Sequence, residues 1–215
     1  MGQDQNQWLS EEILPGFHDA MMDYFDRMEH ISRRLLMLFA LALGKDAVFL
    51  DQFYRTEKEA HSNSSFLRLN YYPVSPDPDS TMGVHHHTDA GGLTVLLQDD
   101  NVASLQVFHR ETQDWYLIPP RPQTFVINIG DMLQIWSNDQ FVAPLHRVLA
   151  NGSRERYSAP FFYNPSYEAT VTPVLASEAQ TPQYRPLSWY DFRLQRFQGD
   201  YADHGEEVQI AHYRI

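Results

Sequence analysis

Cysteine is absent from the 215 residues. Disulfides, thiolate metal sites and cysteine nucleophiles are therefore excluded, and any metal must be held by nitrogen and oxygen. Positive charge is scarce: 16 Lys and Arg stand against 28 Asp and Glu, a formal net charge of −12. A surface of that sign repels phosphate backbones and argues against general nucleic-acid binding. No apolar run is long enough to span a bilayer, so no membrane association is expected. Met1 to Ser10 lacks the basic-then-apolar layout of a secretion signal. Met1-Gly2 opens a myristoylation pattern that Asn6 then breaks, where Ser or Thr is needed. A cytoplasmic protein is expected from these absences. Internal repeats and low-complexity runs are lacking as well. What is present is a chain 43% hydrophobic and 13% aromatic with 10 histidines, enough apolar material to close a substantial core. At this length one domain is expected.

The first element is helical. Ala20, Met21, Tyr24, Phe25, Met28, Ile31, Leu35, Phe39 and Leu43 recur at three- and four-residue steps, and Gly44 is placed to stop them. Asp46 can cap a second, shorter helix running through Phe53. From Ser65 the period changes. Short apolar or alternating runs predict strands over Phe66–Tyr72, Leu93–Gln98, Ser104–His109, Tyr116–Ile118, Thr124–Ile129, Leu133–Trp136, Leu145–Ala150 and Tyr157–Tyr163. Breakers such as Pro76-Asp77-Pro78, Gly91-Gly92, Pro119-Pro120 and Asn151-Gly152 separate them. Many short strands with turn chemistry predict a sandwich or jelly roll. Ser188 and Asp191 have capping-box spacing ahead of Trp189, Phe192, Leu194 and Phe197, which predict a last helix. The expected fold is α+β, a jelly-roll barrel flanked by helices: a mainly helical flank over 1–64, the barrel over 65–170 and a second flank over 171–215.

The chemistry concentrates in Gly83-Val84-His85-His86-His87-Thr88-Asp89. In a strand, residues two apart face the same way, so His87 and Asp89 can converge on one ion. His146, in Pro144-Leu145-His146-Arg147-Val148, offers a third ligand from another predicted strand. Two histidines and one carboxylate form the facial triad of non-haem Fe(II) oxygenases, with open positions left for reactants. Ten residues after His146 stands Arg156-Tyr157-Ser158. Alternation puts Arg156 and Ser158 on one face, and a planar guanidinium with a hydroxyl beside it suits a carboxylate. The three adjacent histidines leave an alternative register, a cupin-like set of His85, His87 and His146. His86 is expected to point away. His204-Gly205-Glu206 copies the triplet in a polar tail with no strand pattern and reads as a decoy. His18, His30, His61, His109 and His212 are isolated, and Glu11-Glu12 and Asp99-Asp100 are most simply solvated charges.

Taken together, these motifs resemble the isopenicillin-N-synthase-like family of Fe(II)- and 2-oxoglutarate-dependent dioxygenases. The similarity runs from about Phe66 to Pro165, weaker in both flanks. Asn70-Tyr71-Tyr72-Pro73 looks like the family's N-x-Y-P strand. Gly83 through Asp99 resembles its long metal-strand motif, with His87-Thr88-Asp89, Gly91, Leu93-Thr94 and Gln98-Asp99. Asn128-Ile129-Gly130-Asp131, His146-Arg147-Val148 and Arg156-x-Ser158 complete the set.

The resemblance implies a double-stranded β-helix fold. It implies Fe(II) on His87, Asp89 and His146, with Arg156 and Ser158 on the distal carboxylate of 2-oxoglutarate. Tyr72 would also touch that co-substrate, Asn70 would lie at its metal end, and Phe162 would meet the organic substrate. No catalytic group beyond the metal centre is implied. The implied reaction takes dioxygen and 2-oxoglutarate, releases succinate and CO2, and hydroxylates, desaturates or cyclises a small organic molecule. Family members usually carry a further N-terminal segment, most of which this chain is expected to lack. Two alternatives stay open: an iron oxidase that does not use 2-oxoglutarate, and a non-catalytic metal-binding jelly roll. The sequence selects neither a substrate nor an oligomeric state.

Overall fold

The computed structural model describes residues 6–55, 63–99, 101–175, 177, 179–201 and 208–215. Helix α1 spans Phe17–Ala42. Met28, Ser32, Leu36 and Ala40, spaced by four, form its buried stripe. Gly44 stops it as the spacing predicts. Its positive φ of 69° lets its N–H reach the Leu41 carbonyl while the Lys45 N–H reaches Ala40, so the last carbonyls are satisfied. Asp46 does not cap the next element: its Oδ1 accepts from the Val48 N–H at 3.0 Å within the preceding turn, and Val48 is the N-cap. The element that follows, Phe49–Tyr54, is a 3-10 helix and not an α-helix.

Among the described residues eleven strands follow: β1 (Phe66–Leu67), β2 (Asn70–Tyr72), β3 (Met82–His87), β4 (Leu93–Gln98), β5 (Leu105–His109), β6 (Asp114–Leu117), β7 (Val126–Ile129), β8 (His146–Leu149), β9 (Arg156–Tyr163), β10 (Thr170–Val171) and β11 (Leu187–Ser188). A short helix α2, Asp131–Trp136, lies between β7 and β8, and α3, Trp189–Tyr201, follows β11. One sheet has the order β1-β9-β4-β7, with β2 also paired to β9; a second has the order β3-β8-β5-β6. All these pairings are antiparallel. Two such sheets face each other across the candidate site, as a jelly roll requires.

Alternation divides β9 cleanly. Phe161 and Tyr163 are buried on the outer face under α1, where Phe25 meets Phe161 edge-on at 5.0 Å. Arg156, Ser158, Pro160 and Phe162 look inward to a common cavity. One contiguous core joins α1, the first sheet, α2 and α3 through Leu36, Leu93, Trp136, Phe161 and Trp189. Each large side chain fully buried there contributes about 2 kcal/mol. Among the described residues no helix is long and apolar enough to cross a membrane.

Three expectations are corrected. The Leu133–Trp136 strand is helix α2. All six of its residues are buried, so no polar face betrays the helical period, and a short apolar run is ambiguous. The Phe66–Tyr72 strand is split into β1 and β2. Arg68 lies opposite Pro160, whose carbonyl accepts from the Arg68 N–H at 3.0 Å but whose nitrogen has no hydrogen to return. Finally, β3 is irregular, with register shifts between Met82 and Val84 and between Val84 and His87.

Gly130 locks the turn into α2. A Cβ there would stand 2.3 Å from the Gly91 carbonyl oxygen and 2.8 Å from that of Asp89, both backbone atoms. The same turn is held by Asp131 N–H to Asp89 O at 2.8 Å and Met132 N–H to Gly91 O at 3.0 Å. Gly130→Ala is expected to cost about 3 kcal/mol, because backbone cannot yield as a side chain does. Denaturant unfolding of the variant checks it.

Candidate metal centre and anion pocket

His87 closes β3 and His146 opens β8, and the two are cross-strand partners. Asp89 lies two residues beyond the end of β3. Strand alternation therefore does not bring it to His87; the turn pinned to Asp131 does. The irregular strand also removes His85 from the cluster. That side chain is exposed, and the cupin-like alternative has no support among the described residues. One ligand atom from each of His87, Asp89 and His146 lies within 4.8 Å of the others.

The hydrogen bonds around the three leave one atom of each unspent. His87 Nδ1–H donates to the His85 carbonyl at 2.7 Å, and His146 Nδ1–H to the Pro144 carbonyl at 3.0 Å. That choice of tautomer leaves both Nε2 lone pairs facing Asp89 Oδ1, each 3.7 Å away. Oδ2 of Asp89 is occupied, accepting from Thr94 Oγ1 at 2.6 Å and Asn128 Nδ2 at 2.7 Å. Burial, and next the neighbouring His146, hold the His87 imidazole below its ordinary pKa. The ring is then neutral at pH 7, the form that can ligate. Arg196, on α3, secures the same loop by donating to the Thr88 carbonyl at 3.2 Å.

Thr94 and Asn128 belong to the motifs quoted above but had been given no role. Their signal is a lone polar residue inside an apolar strand, in Leu93-Thr94-Val95-Leu96 and Val126-Ile127-Asn128-Ile129. Outer partners of this kind typically affect metal affinity 10- to 100-fold, so Asn128→Ala is expected to weaken metal binding by about that factor. An anaerobic metal titration, with circular dichroism to confirm the fold, reads it.

Arg156 stands at the other end of the cavity with only 1% of its surface exposed. Its Nη2 reaches Gln98 Oε1 at 3.4 Å, while Nε and Nη1 have no hydrogen-bond partner among the described residues. The guanidinium lies 5.0 Å from the centre of the Tyr72 ring, its partner across β2 and β9. Burial lowers its pKa from the ordinary arginine value. Ser158 is buried beside it and accepts from Asn70 Nδ2 at 3.3 Å. Phe162 stacks on Phe66 at 4.7 Å. All eight residues singled out from the sequence, His87, Asp89, His146, Arg156, Ser158, Tyr72, Asn70 and Phe162, line one cavity of about 310 Å³.

Elsewhere, His18, His109 and His212 hydrogen-bond locally to Asp19, Thr112 and Gln209. His61, Asp100 and the His204-Gly205-Glu206 triplet lie outside the described residues.

Comparison with known proteins now bears on this geometry. The sequence pattern of the 2OG-Fe(II) oxygenase superfamily matches residues 63–165. Jasmonate-induced oxygenase 2 of Arabidopsis thaliana is 35% identical over 194 residues, 89% of this chain and 50% of that protein. Residues 63–165 belong to the 2OG-Fe(II) oxygenase superfamily. Feruloyl CoA ortho-hydroxylase 1 of the same plant is 37% identical over 85% of this chain and 50% of its own length. The chain thus spans about half the length of these curated relatives. The crystal structure of JOX2 with 2OG, Fe and JA superposes with a TM-score of 0.77 at 33% identity, covering 84% of this chain and 52% of that one. A rice dioxygenase for auxin oxidation gives 0.78 at 25% identity, over 94% and 65%.

The residues here fit the superfamily's two small partners. Two imidazoles and a carboxylate suit a ferrous ion without closing its coordination. A buried guanidinium with two donors unspent is costly by itself, and a carboxylate arriving beside it satisfies them.

Proposed function

We propose that the protein is an Fe(II)- and 2-oxoglutarate-dependent dioxygenase that oxidises a small organic molecule, with residues 1–215 forming a single dioxygenase domain. The observation that carries this reading is Arg156, a buried cation lacking partners for Nε and Nη1 in the cavity that also holds the His87, Asp89 and His146 cluster. His87, Asp89 and His146 would hold the iron through two Nε2 atoms and Oδ1. Arg156 and Ser158 would bind the far carboxylate of 2-oxoglutarate, with Tyr72 packed against the guanidinium and Asn70 holding the serine hydroxyl. Together the bound ion and co-substrate supply the oxidising power: R–H, O2 and 2-oxoglutarate become R–OH, succinate and CO2.

The chain's own part is binding, orientation and exclusion. Thr94 and Asn128 hold Asp89 so that its free oxygen meets both imidazoles. The apolar walls, among them Val84, Leu96, Leu105, Val148 and Phe162, keep bulk water from the reacting centre. A cytoplasmic location accords with the lack of cysteine. The deciding experiment reconstitutes the protein anaerobically with Fe(II) and 2-oxoglutarate, admits oxygen and follows succinate. Iron-dependent succinate release is the expected result. Iron-dependent oxygen uptake with no need of 2-oxoglutarate would favour the direct oxidase instead. Metal binding with neither activity would favour a binding protein.

A further inference from the structure

We infer that the organic substrate is an amphipathic monocarboxylate, an apolar body with one carboxylate, and that Arg68 is the residue that holds its anionic end. This rests on the dioxygenase reading above and specifies its substrate class.

Arg68 lines the same cavity as the metal cluster and Arg156, and its backbone lies opposite Pro160. On the inner face of β9 the order is Arg156, Ser158, Pro160, Phe162. Six residues of strand place Phe162 roughly 20 Å from Arg156 along the backbone. Phe162 is level with Thr94 in the β4 ladder, and Thr94 grips Asp89. The metal cluster and Phe162 therefore share one end of the cavity. The Arg68 guanidinium is at that end, 5.7 Å from the Phe162 ring and 5.8 Å from the Phe66 ring. A co-substrate running from the metal cluster to Arg156 leaves Arg68 without an anion of its own.

Nor do the described residues supply one. Arg27, Arg33, Arg55 and Arg214 each pair with an aspartate. Among the described residues no carboxylate pairs with Arg68. The break in the strand at Pro160 is what frees this position from the β-ladder and exposes it at the cavity edge. In a chain of net charge −12, an exposed arginine with no carboxylate partner among the described residues is the feature that would draw an anion inward. Val84, Leu105, Val107, Ile118 and Phe162 offer the other half of such a ligand an apolar wall.

The test uses the full chain loaded anaerobically with Mn(II) and 2-oxoglutarate. Phenylacetate, cinnamate, indole-3-acetate and decanoate are titrated, each against its methyl ester, by calorimetry. At least one acid is expected to bind roughly tenfold or more tightly than its ester, the worth of one charge-assisted contact. Arg68→Gln should abolish that preference while leaving the ester and 2-oxoglutarate affinities unchanged. Arg68→Lys should keep part of it. An equal preference in Arg68→Gln, esters binding as well as acids, or no acid binding at all would overturn the inference. So would a parallel loss of 2-oxoglutarate affinity in Arg68→Gln, which would assign Arg68 to the co-substrate. A native chain that binds no 2-oxoglutarate defeats the dioxygenase reading itself, and with it this one; intact 2-oxoglutarate binding without acid preference defeats this one alone.

Discussion

Asp89→Ala is expected to abolish metal binding and to lower turnover by on the order of a thousandfold or more, about 4 kcal/mol of transition-state stabilisation. Asp89 is the one carboxylate of the cluster, and its Oδ1 is equidistant from both imidazoles at 3.7 Å. Two histidine ligands alone neither balance the charge of a divalent ion nor define three corners around it. The substitution also strands the Thr94 hydroxyl at about 1–3 kcal/mol and leaves the Asn128 amide only its longer bond to the Ile129 carbonyl at 3.3 Å. The apo-protein is therefore expected to melt at a lower temperature. Asp89→Asn separates the two effects. Its amide oxygen can still accept from Thr94 and Asn128 while its NH2 turns toward the histidine lone pairs. It should keep the melting temperature and lose the metal, as elemental analysis and thermal unfolding together would show.

Arg156→Met is expected to move two quantities in opposite directions. Affinity for 2-oxoglutarate should fall at least roughly a hundredfold, about 2.7 kcal/mol, because a pair of charge-assisted contacts is lost. Stability without ligand should rise by about 1–3 kcal/mol, since a buried cation with one long hydrogen bond is exchanged for a side chain that needs none. Thermal unfolding with and without 2-oxoglutarate reads both. The native chain should gain stability on adding the co-substrate, and the variant should start higher and gain nothing. An Arg156→Met protein less stable than the native chain in the absence of ligand would mean that the guanidinium is already paid for within the fold.

The parts of this site that were legible in the sequence are those where chemistry overrides geometry. A histidine, an aspartate, a distant histidine and an Arg-x-Ser pair on predicted strands name a metal and an anion whatever the details of the backbone. The route was less legible. His87 and Asp89 were linked by strand alternation, but β3 ends at His87 and the turn against Asp131 makes the approach. The same irregularity separates His85 from His87, which a regular strand would have put on one face. Leu133–Trp136 could not be assigned from its pattern, because a helix buried on every side shows no period. The break between β1 and β2 depends on Pro160, more than ninety residues away in sequence, and local reading has no access to it. Asp89's supports, Thr94 and Asn128, required the β4 and β7 register to be seen as a pair. The paired strands β10 and β11, two residues each, are too short to leave a periodic signal.

The most direct test of the site is an anaerobic titration of the Fe(II)-loaded chain with 2-oxoglutarate, followed by visible absorption. A metal-to-ligand band is expected to rise and saturate in the native chain, to be missing from Asp89→Ala, and to need roughly a hundredfold more 2-oxoglutarate in Arg156→Met. A native chain with no band at any concentration, or both variants titrating as the native chain does, would contradict it.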